Sequence, residues 1–88
     1  LEIVMVRAPG VAETLARKVV AAVNRLREMD LAKPPGVAET LDWVASLHVL
    51  GDGDLGLAAA EDTLGAVVKE RDDLELVREN LEEIVTGA

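Results

Sequence analysis

The sequence predicts an all-α protein folded as a compact four-helix bundle, and three observations lead to that prediction. Half of the 88 residues are hydrophobic, yet Trp43 is the only aromatic one, so the core must be built from Ala, Val, Leu and Ile. Apolar residues recur at spacings of three and four along most of the chain, which is the period of an amphipathic helix. A helix-start signal of seven residues occurs twice. A chain of 88 residues suits one domain, so we assign residues 1–88 to a single helical domain.

The repeated signal is Pro-Gly-Val-Ala-Glu-Thr-Leu, at residues 9–15 and 35–41. Proline is disfavoured inside a helix but accepted at its approach, and Gly10 or Gly36 can then serve as the N-cap. Glu13 and Glu39 fall at the third helical position, where a carboxylate can reach back to the cap amide and lies at the positive end of the helix dipole. We therefore expect two helices that are entered by the same turn.

The first helix is predicted at residues 11–30. Its inward stripe is Val11, Leu15, Val19, Ala22, Leu26 and Met29, and its basic residues Arg17, Lys18, Arg25 and Arg27 lie mostly off that stripe. Pro34 and Pro35 prevent the helix from continuing. Residues 1–7 are rich in β-branched side chains, which favours a strand, but so short a segment does not decide between strand and helix.

The second helix is predicted at residues 37–50. One row of its side chains is Val37, Leu41, Val44 and His48, and a second row is Trp43, Leu47 and Leu50. Because both rows are apolar except for His48, we expect this helix to be the central one. His48 is then a packed or hydrogen-bonded histidine, and Trp43 is a core or interface anchor. The sequence Gly-Asp-Gly-Asp at 51–54 ends the helix as a loop.

The third and fourth helices are predicted at residues 57–70 and 73–86. In the third, the inward residues are Leu57, Ala60, Leu64, Val67 and Val68; in the fourth they are Leu74, Val77, Leu81, Ile84 and Val85. Asp72 and Asp73 provide an acidic N-cap region for the fourth helix. Its glutamates are expected in water, so that the last two helices form a hairpin with an acidic outer face.

Charge is distributed unevenly along the chain. Residues 1–50 carry six acidic and six basic residues, whereas residues 51–88 carry eleven and three and hold the entire net charge of −8. A nucleic-acid-binding face needs a basic stripe, so we exclude DNA and RNA as partners. No apolar run approaches the roughly 20 residues that span a bilayer. With no recognisable signal peptide either, we expect a cytoplasmic protein that binds no membrane.

The residues assemble no catalytic or metal site. Cysteine is absent and His48 is the only histidine, which excludes thiolate and multi-histidine metal sites. Asp52 and Asp54 could begin a calcium loop, but its twelfth position is Thr63 where glutamate is required. No Gly-rich phosphate loop is present, and no nucleophile, base and orienting group come together. We expect no catalysis by these 88 residues and no cofactor of their own.

Residues 33–43, Lys-Pro-Pro-Gly-Val-Ala-Glu-Thr-Leu-Asp-Trp, resemble the lid region of MoxR-type AAA+ ATPases. The likeness continues at residues 2–11 and 15–17, which are similar to the family's entry into the lid. Residues 26–28 fit the end of its first long helix, and residues 63–69 resemble a later helix in one branch. Together these segments cover most of the chain, and the run that begins with the second Pro-Gly-Val is the most specific.

The resemblance implies a C-terminal helical lid whose parent carries an α/β core with the Walker motifs, ATP and Mg²⁺. Residues 1–10 are then the connection from that core, with residues 1–7 as the end of a helix, and the start at Leu1 fits a piece of a longer protein. The family's ATPases form rings, often hexamers, and mature metalloenzymes or other complexes. The lid's partners are accordingly its own core, the neighbouring subunits and a protein with a von Willebrand A-type domain.

The resemblance also implies nucleotide-proximal residues. Many AAA+ lids place an arginine in the first turn of a lid helix, where it touches the terminal phosphate. The corresponding turn here contains Gly36, Glu39 and Thr40 and no arginine, and Lys33 is the nearest positive charge. We expect this turn to border the adenine side of the site and Lys33 to reach a phosphate. Helix capping alone explains the same residues equally well.

A second hypothesis is a stand-alone acidic four-helix protein-interaction domain, whose fourth helix meets a basic partner. It predicts a sealed core and a function that needs no upstream domain. The lid hypothesis predicts instead an exposed apolar patch that involves residues 1–7 and one side of the first or second helix, because soluble monomers seldom expose such patches without a use for them.

Overall fold

The computed structural model describes residues 13–50 and 55–87 of the chain, which fold into five helices joined by short connections. These are α1 (Glu13–Glu28), α2 (Val37–Leu50), α3 (Leu57–Thr63), α4 (Arg71–Glu79) and α5 (Leu81–Thr86), with one 3-10 turn, Leu64–Ala66, directly after α3. Among the described residues there is no strand, so the all-α prediction is confirmed. The predicted number of four helices is wrong, and the reason lies in the second half of the chain.

Helix α1 buries the predicted stripe and ends earlier than predicted. Its buried residues are Leu15, Ala16, Val19, Ala22, Val23 and Leu26. The predicted end at residue 30 is wrong, since the last helical residue is Glu28. The backbone N–H of Leu31 donates to the carbonyl of Met29 at 3.0 Å, and this tight turn places Leu31 in the core with 7% exposure. The predicted beginning at residue 11 lies outside the described residues.

Helix α2 has the predicted bounds, and Trp43, Val44 and Leu47 on it are fully buried. The prediction that Trp43 anchors the core is therefore confirmed. The predicted row that joins Val37 to His48 is wrong at both ends: Val37 is 48% exposed and the side chain of His48 is also exposed. The buried stripe of α2 is centred on Trp43 and Leu47, so that row lies at its edge.

Helix α3 is half as long as predicted. It ends at Thr63 and continues only as the 3-10 turn, in which the backbone N–H of Val67 donates to the carbonyl of Leu64 at 3.1 Å. The N–H of Val68 donates to the same carbonyl at 3.0 Å. Val67 and Val68 are both buried, as predicted, although they are adjacent and an α-helix would turn them about 100° apart. Leu57 was expected to face inward but is 48% exposed.

The predicted fourth helix is two helices, α4 and α5, which meet at Asn80. The backbone of Asn80 leaves the helical region (φ −116°, ψ 15°), and its side-chain amide donates to the carbonyl of Leu76 at 2.9 Å. Asparagine side chains compete with the backbone in this way, which is why they interrupt helices. The apolar stripe survives the break, since Val77, Leu81 and Ile84 are all buried.

One hydrophobic cluster draws buried residues from all five helices. Helix α1 contacts α2 and α5, helix α2 contacts α3, and helix α3 contacts α5. No buried side-chain nitrogen or oxygen within the described part of the chain lacks a hydrogen-bond partner. The core therefore fixes the positions of both ends of the α1–α2 connection, residues 29–36.

Candidate functional site

The α1–α2 connection carries the first of the sequence-predicted site residues and leads directly into the others. Two of its own apolar residues are buried, Leu31 and Pro35, so the connection is held against the core and does not project from it. Pro34 and Pro35 keep it from becoming helical because neither proline can donate a helical hydrogen bond. The connection ends at Gly36, immediately before α2.

Gly36, Glu39 and Thr40 form one hydrogen-bonded unit at the start of α2. The backbone N–H of Gly36 donates to Oε1 of Glu39 at 3.3 Å, which confirms that Glu39 reaches back to the cap. The carbonyl of Gly36 accepts two bonds from Thr40, one from its backbone N–H at 3.1 Å and one from its hydroxyl at 2.7 Å. The hydroxyl of Thr40 is thus engaged, and its residue is only 7% exposed.

Arg27 ties the connection to α1. Its Nε–H donates to the carbonyl of Pro35 at 3.0 Å, one residue before the cap of α2. A guanidinium that bonds a carbonyl forms a charge-assisted hydrogen bond, which is stronger than a bond between neutral groups. The last turn of α1 therefore holds the residue from which α2 begins.

Asp73 ties the same connection to α4. Its Oδ1 accepts the backbone N–H of Ala32 and its Oδ2 accepts the backbone N–H of Lys33, both at 2.9 Å. Asp73 is only 4% exposed. It is the third residue of α4, so the positive end of that helix dipole also favours a carboxylate there. We refer to these two hydrogen bonds as the Asp73 bond pair.

The prediction that Asp72 and Asp73 form an N-cap region needs correction. Helix α4 begins two residues earlier than predicted, at Arg71, and its N-cap residue is Glu70, which makes no side-chain capping bond. Asp73 bonds a segment 40 and 41 residues away in the sequence. Its acidic position was visible in the sequence, but no local pattern marks a partner at that separation.

The structure thus brings together three of the four predicted residues and anchors the backbone of the fourth. Gly36, Glu39 and Thr40 bond one another, while Lys33 lies three residues before the cap with an exposed side chain and a fixed backbone. Sequence reasoning did not identify Arg27 and Asp73 as the residues that hold this turn. Chemically, the arrangement presents one exposed ammonium group on a backbone that is bonded to three helices.

Helix α2 also exposes apolar residues, from its first turn beside the connection to its last turn. Val37 is 48% exposed and Val49 is 75% exposed, and Ala38 and Ala45 are exposed as well. Ala38, Ala45 and Val49 lie on one helical face because they are spaced by seven and four residues. We call Val37, Ala38, Ala45 and Val49 the exposed α2 face. Residues 1–7, the other part of the predicted apolar patch, lie outside the described residues.

The two larger of the three grooves that adjoin α5 among the described residues are lined by residues other than the predicted ones. The first, of about 550 Å³, runs between α1 and the α4–α5 pair and is lined by the carboxylates of Glu28, Asp30 and Glu83 and by Met29, Leu76 and Ile84. Arg25 also lines it, with its guanidinium donating to the carbonyl of Ile84 at 2.7 Å. We call this the acidic groove. The second, of about 610 Å³, is lined by residues of α1, α3 and α5 and those next to them.

The described residues form neither a metal-binding cluster nor a membrane-spanning helix. Within residues 13–50 and 55–87, no three acidic or histidine side chains converge as metal ligands would. Among those same residues, none of the helices combines the length and the apolar character needed to cross a bilayer. The residues that the sequence offered for a calcium loop, Asp52 and Asp54, lie outside the described part of the chain.

Comparison of the chain with protein-family models, with curated proteins and with solved structures returns no match.

Proposed function

We propose that this chain is the helical lid of a MoxR-type AAA+ ATPase, a non-catalytic module that completes a nucleotide site formed mainly by the ATPase core. The observation that carries the proposal is the α1–α2 turn. The stretch from Lys33 to Trp43 that resembles the family's lid consists of the end of this turn, which is bonded to α1 and α4, and the capped beginning of α2, with one exposed lysine. The bonded backbone fixes where this lysine side chain starts, and an ammonium group is complementary in charge to an anionic ligand.

In this proposal the core supplies the Walker motifs, ATP and Mg²⁺, and therefore the hydrolytic chemistry. The chain's own contribution is binding and orientation. Lys33 presents its ammonium group to a phosphate, and the capped start of α2 borders the adenine side. The engaged hydroxyl of Thr40 and carboxylate of Glu39 hold the turn and do not contact phosphate.

The exposed α2 face supports the same proposal. Val49 keeps three quarters of its surface in water, so it adds little to the packing of the described residues. We assign this face to contact with the ATPase core or with a neighbouring subunit of the ring. The parent's further partner would be a protein with a von Willebrand A-type domain, and its place of action the cytoplasm.

Labelling of the complete ATPase with an acyl-phosphate derivative of ATP tests the proposal. The Nζ atom of a lysine beside the phosphates attacks the acyl carbon, the acyl–phosphate bond breaks, and ATP leaves with the acyl group retained on the lysine. We expect Lys33 to be labelled and the label to be displaced by excess ATP. Lys18 is the control and should not be labelled. It lies more than two turns of α1 before Arg27, the residue through which α1 bonds the connection. Labelling of core lysines without Lys33 would contradict the assignment.

The acidic groove favours a second candidate function, a stand-alone acidic interaction domain that binds a basic partner. Three carboxylates around apolar side chains are complementary to a lysine-rich amphipathic segment. This candidate predicts that the 88 residues alone bind a lysine-rich helical peptide. The variant Glu83→Lys should then weaken binding, whereas Glu61→Lys on α3, which adds the same charge outside this groove, should have a smaller effect.

A further inference from the structure

We infer that Asp73 is a positioning residue that makes the α1–α2 turn and helix α4 move as one body, so that a displacement of the turn is transmitted to the α4–α5 pair. The mechanical part of this inference stands on hydrogen-bond geometry alone. Its functional consequence, that a ligand at Lys33 shifts the acidic end of the domain, rests on the proposed lid function.

The Asp73 bond pair is suited to fix a position because it is bidentate. Two oxygens of one carboxylate accept the N–H groups of two consecutive residues, Ala32 and Lys33, both at 2.9 Å. Such an arrangement restrains rotation of the backbone as well as its distance, which a single bond does not. The carboxylate is almost entirely removed from water, so solvent does not compete for the same amides.

Asp73 occupies the third position of α4 but does not cap its own helix. A carboxylate at the third helical position commonly reaches back to its own N-cap amide. Here the side chain bonds the distant connection, and the N-cap residue Glu70 makes no side-chain bond that would replace it. The beginning of α4 is thus attached to another segment of the chain rather than capped by its own residues.

The bond from Arg27 to Pro35 closes the arrangement. The connection is held to α4 at residues 32 and 33 and to α1 at residue 35. A displacement of Lys33 must therefore either break the Asp73 bond pair or carry the first turn of α4 with it. Helix α4 leads through Asn80 directly into α5, which lines the acidic groove.

Hydrogen exchange of the 88-residue chain, followed residue by residue by NMR, is the first test. In Asp73→Asn the amide group turns a donor toward one of the two N–H groups, so exchange at Ala32 and Lys33 should accelerate by about tenfold or more relative to core amides such as that of Val44. Asp72→Asn is the matched control, because the adjacent Asp72 is exposed and the charge change is the same. It should leave both rates unchanged relative to that of Val44. Equal acceleration of all amides in Asp73→Asn would overturn the inference.

The coupling between the α1–α2 turn and α4 is tested by removing the bond that holds the turn to α1. The variant Arg27→Ala removes the bond to Pro35, and we expect the resulting amide chemical-shift changes to reach residues 72–74 of α4. In an Asp73→Asn background the changes should stop at the connection, whereas in an Asp72→Asn background they should still reach α4. Changes in α4 that persist without the Asp73 carboxylate, or that are absent from the otherwise native chain, would overturn the coupling.

If Asp73→Asn does not fold, Asp73→Glu replaces it; the extra methylene displaces both acceptors, so exchange at Ala32 and Lys33 should still accelerate, and unchanged rates would refute the inference. Neither measurement contains nucleotide. A negative result therefore removes the coupling and leaves the lid proposal intact, while a failure of Lys33 labelling leaves the coupling intact.

Discussion

The indole Nε1–H of Trp43 donates a 2.9 Å hydrogen bond to the hydroxyl oxygen of Thr63, and this buried bond joins the middle of α2 to the last residue of α3. Thr63 in turn donates its hydroxyl hydrogen to the carbonyl of Ala59 at 2.7 Å. The only aromatic side chain of the protein is therefore fixed in orientation by a group that is itself fixed.

Replacement of Thr63 by valine tests that relationship. Valine has the shape of threonine but leaves the buried indole N–H without an acceptor, which should lower the free energy of unfolding by about 1–3 kcal/mol. Urea denaturation followed by Trp43 fluorescence measures the change. The control is Thr86→Val, since Thr86 also bonds a carbonyl four residues earlier but is exposed. Equal losses of unfolding free energy in the two variants would show that the hydrogen bond from the indole does not add to stability.

Asp73→Asn should destabilise the protein well beyond the effect of Asp72→Asn. The variant replaces one of two charge-assisted hydrogen bonds by a contact between two N–H donors in a buried position. We expect the free energy of unfolding to fall by about 2–3 kcal/mol. The exposed Asp72 contributes mainly through the helix dipole, about 0.3–1 kcal/mol. Denaturant titration of both variants gives the comparison. A loss in Asp73→Asn no larger than in its neighbour would mean that the bond pair adds little to stability.

Two glycine substitutions should have opposite outcomes. Gly87 has a φ of +78°, and a Cβ atom there would lie 2.7 Å from a terminal nitrogen of Arg25, so Gly87→Ala combines backbone strain with loss of the Arg25 bond to Ile84. We expect a cost of about 1–3 kcal/mol. Gly65→Ala meets no atom within 4 Å and should be neutral or stabilising by up to about 1 kcal/mol. Thermal unfolding of the two variants distinguishes these outcomes; destabilisation by Gly65→Ala would contradict the prediction.

The exposed α2 face should be needed for association and not for folding. Because Val49 is 75% exposed, Val49→Ser should change the free energy of unfolding by less than about 0.5 kcal/mol. The same variant should weaken binding of the chain to the ATPase core, which titration calorimetry would measure. Undiminished binding would remove this face from the proposed interface.

The sequence was most informative where a local signal fixes the backbone. The approach Pro35-Gly36 and the carboxylate of Glu39 predicted both the beginning of α2 and its capping bond, and the apolar stripe of α1 is buried as expected. These features depend on residues within a few positions of one another. That is the range over which helix periodicity and capping rules act.

Interactions between distant segments account for the rest. Periodicity alone continues through residues 73–86, and the break at Asn80 depends on a side-chain bond that periodicity does not encode. His48 occupied an apolar row but is exposed, because the buried stripe of α2 is set by the packing of Trp43. The partners of Asp73 lie 40 residues and more away, beyond the reach of any local rule.

The most direct test of the central claim is the affinity of the ATPase for a slowly hydrolysed ATP analogue, measured with the core alone, with the core and this chain, and with the chain carrying Lys33→Ala or Lys18→Ala. If the chain is a lid, its presence should tighten binding. Lys33→Ala should then weaken binding roughly ten- to hundredfold, as expected for one hydrogen bond between charged groups, and Lys18→Ala should leave it unchanged. A core that binds the analogue equally well with and without the chain would contradict the account.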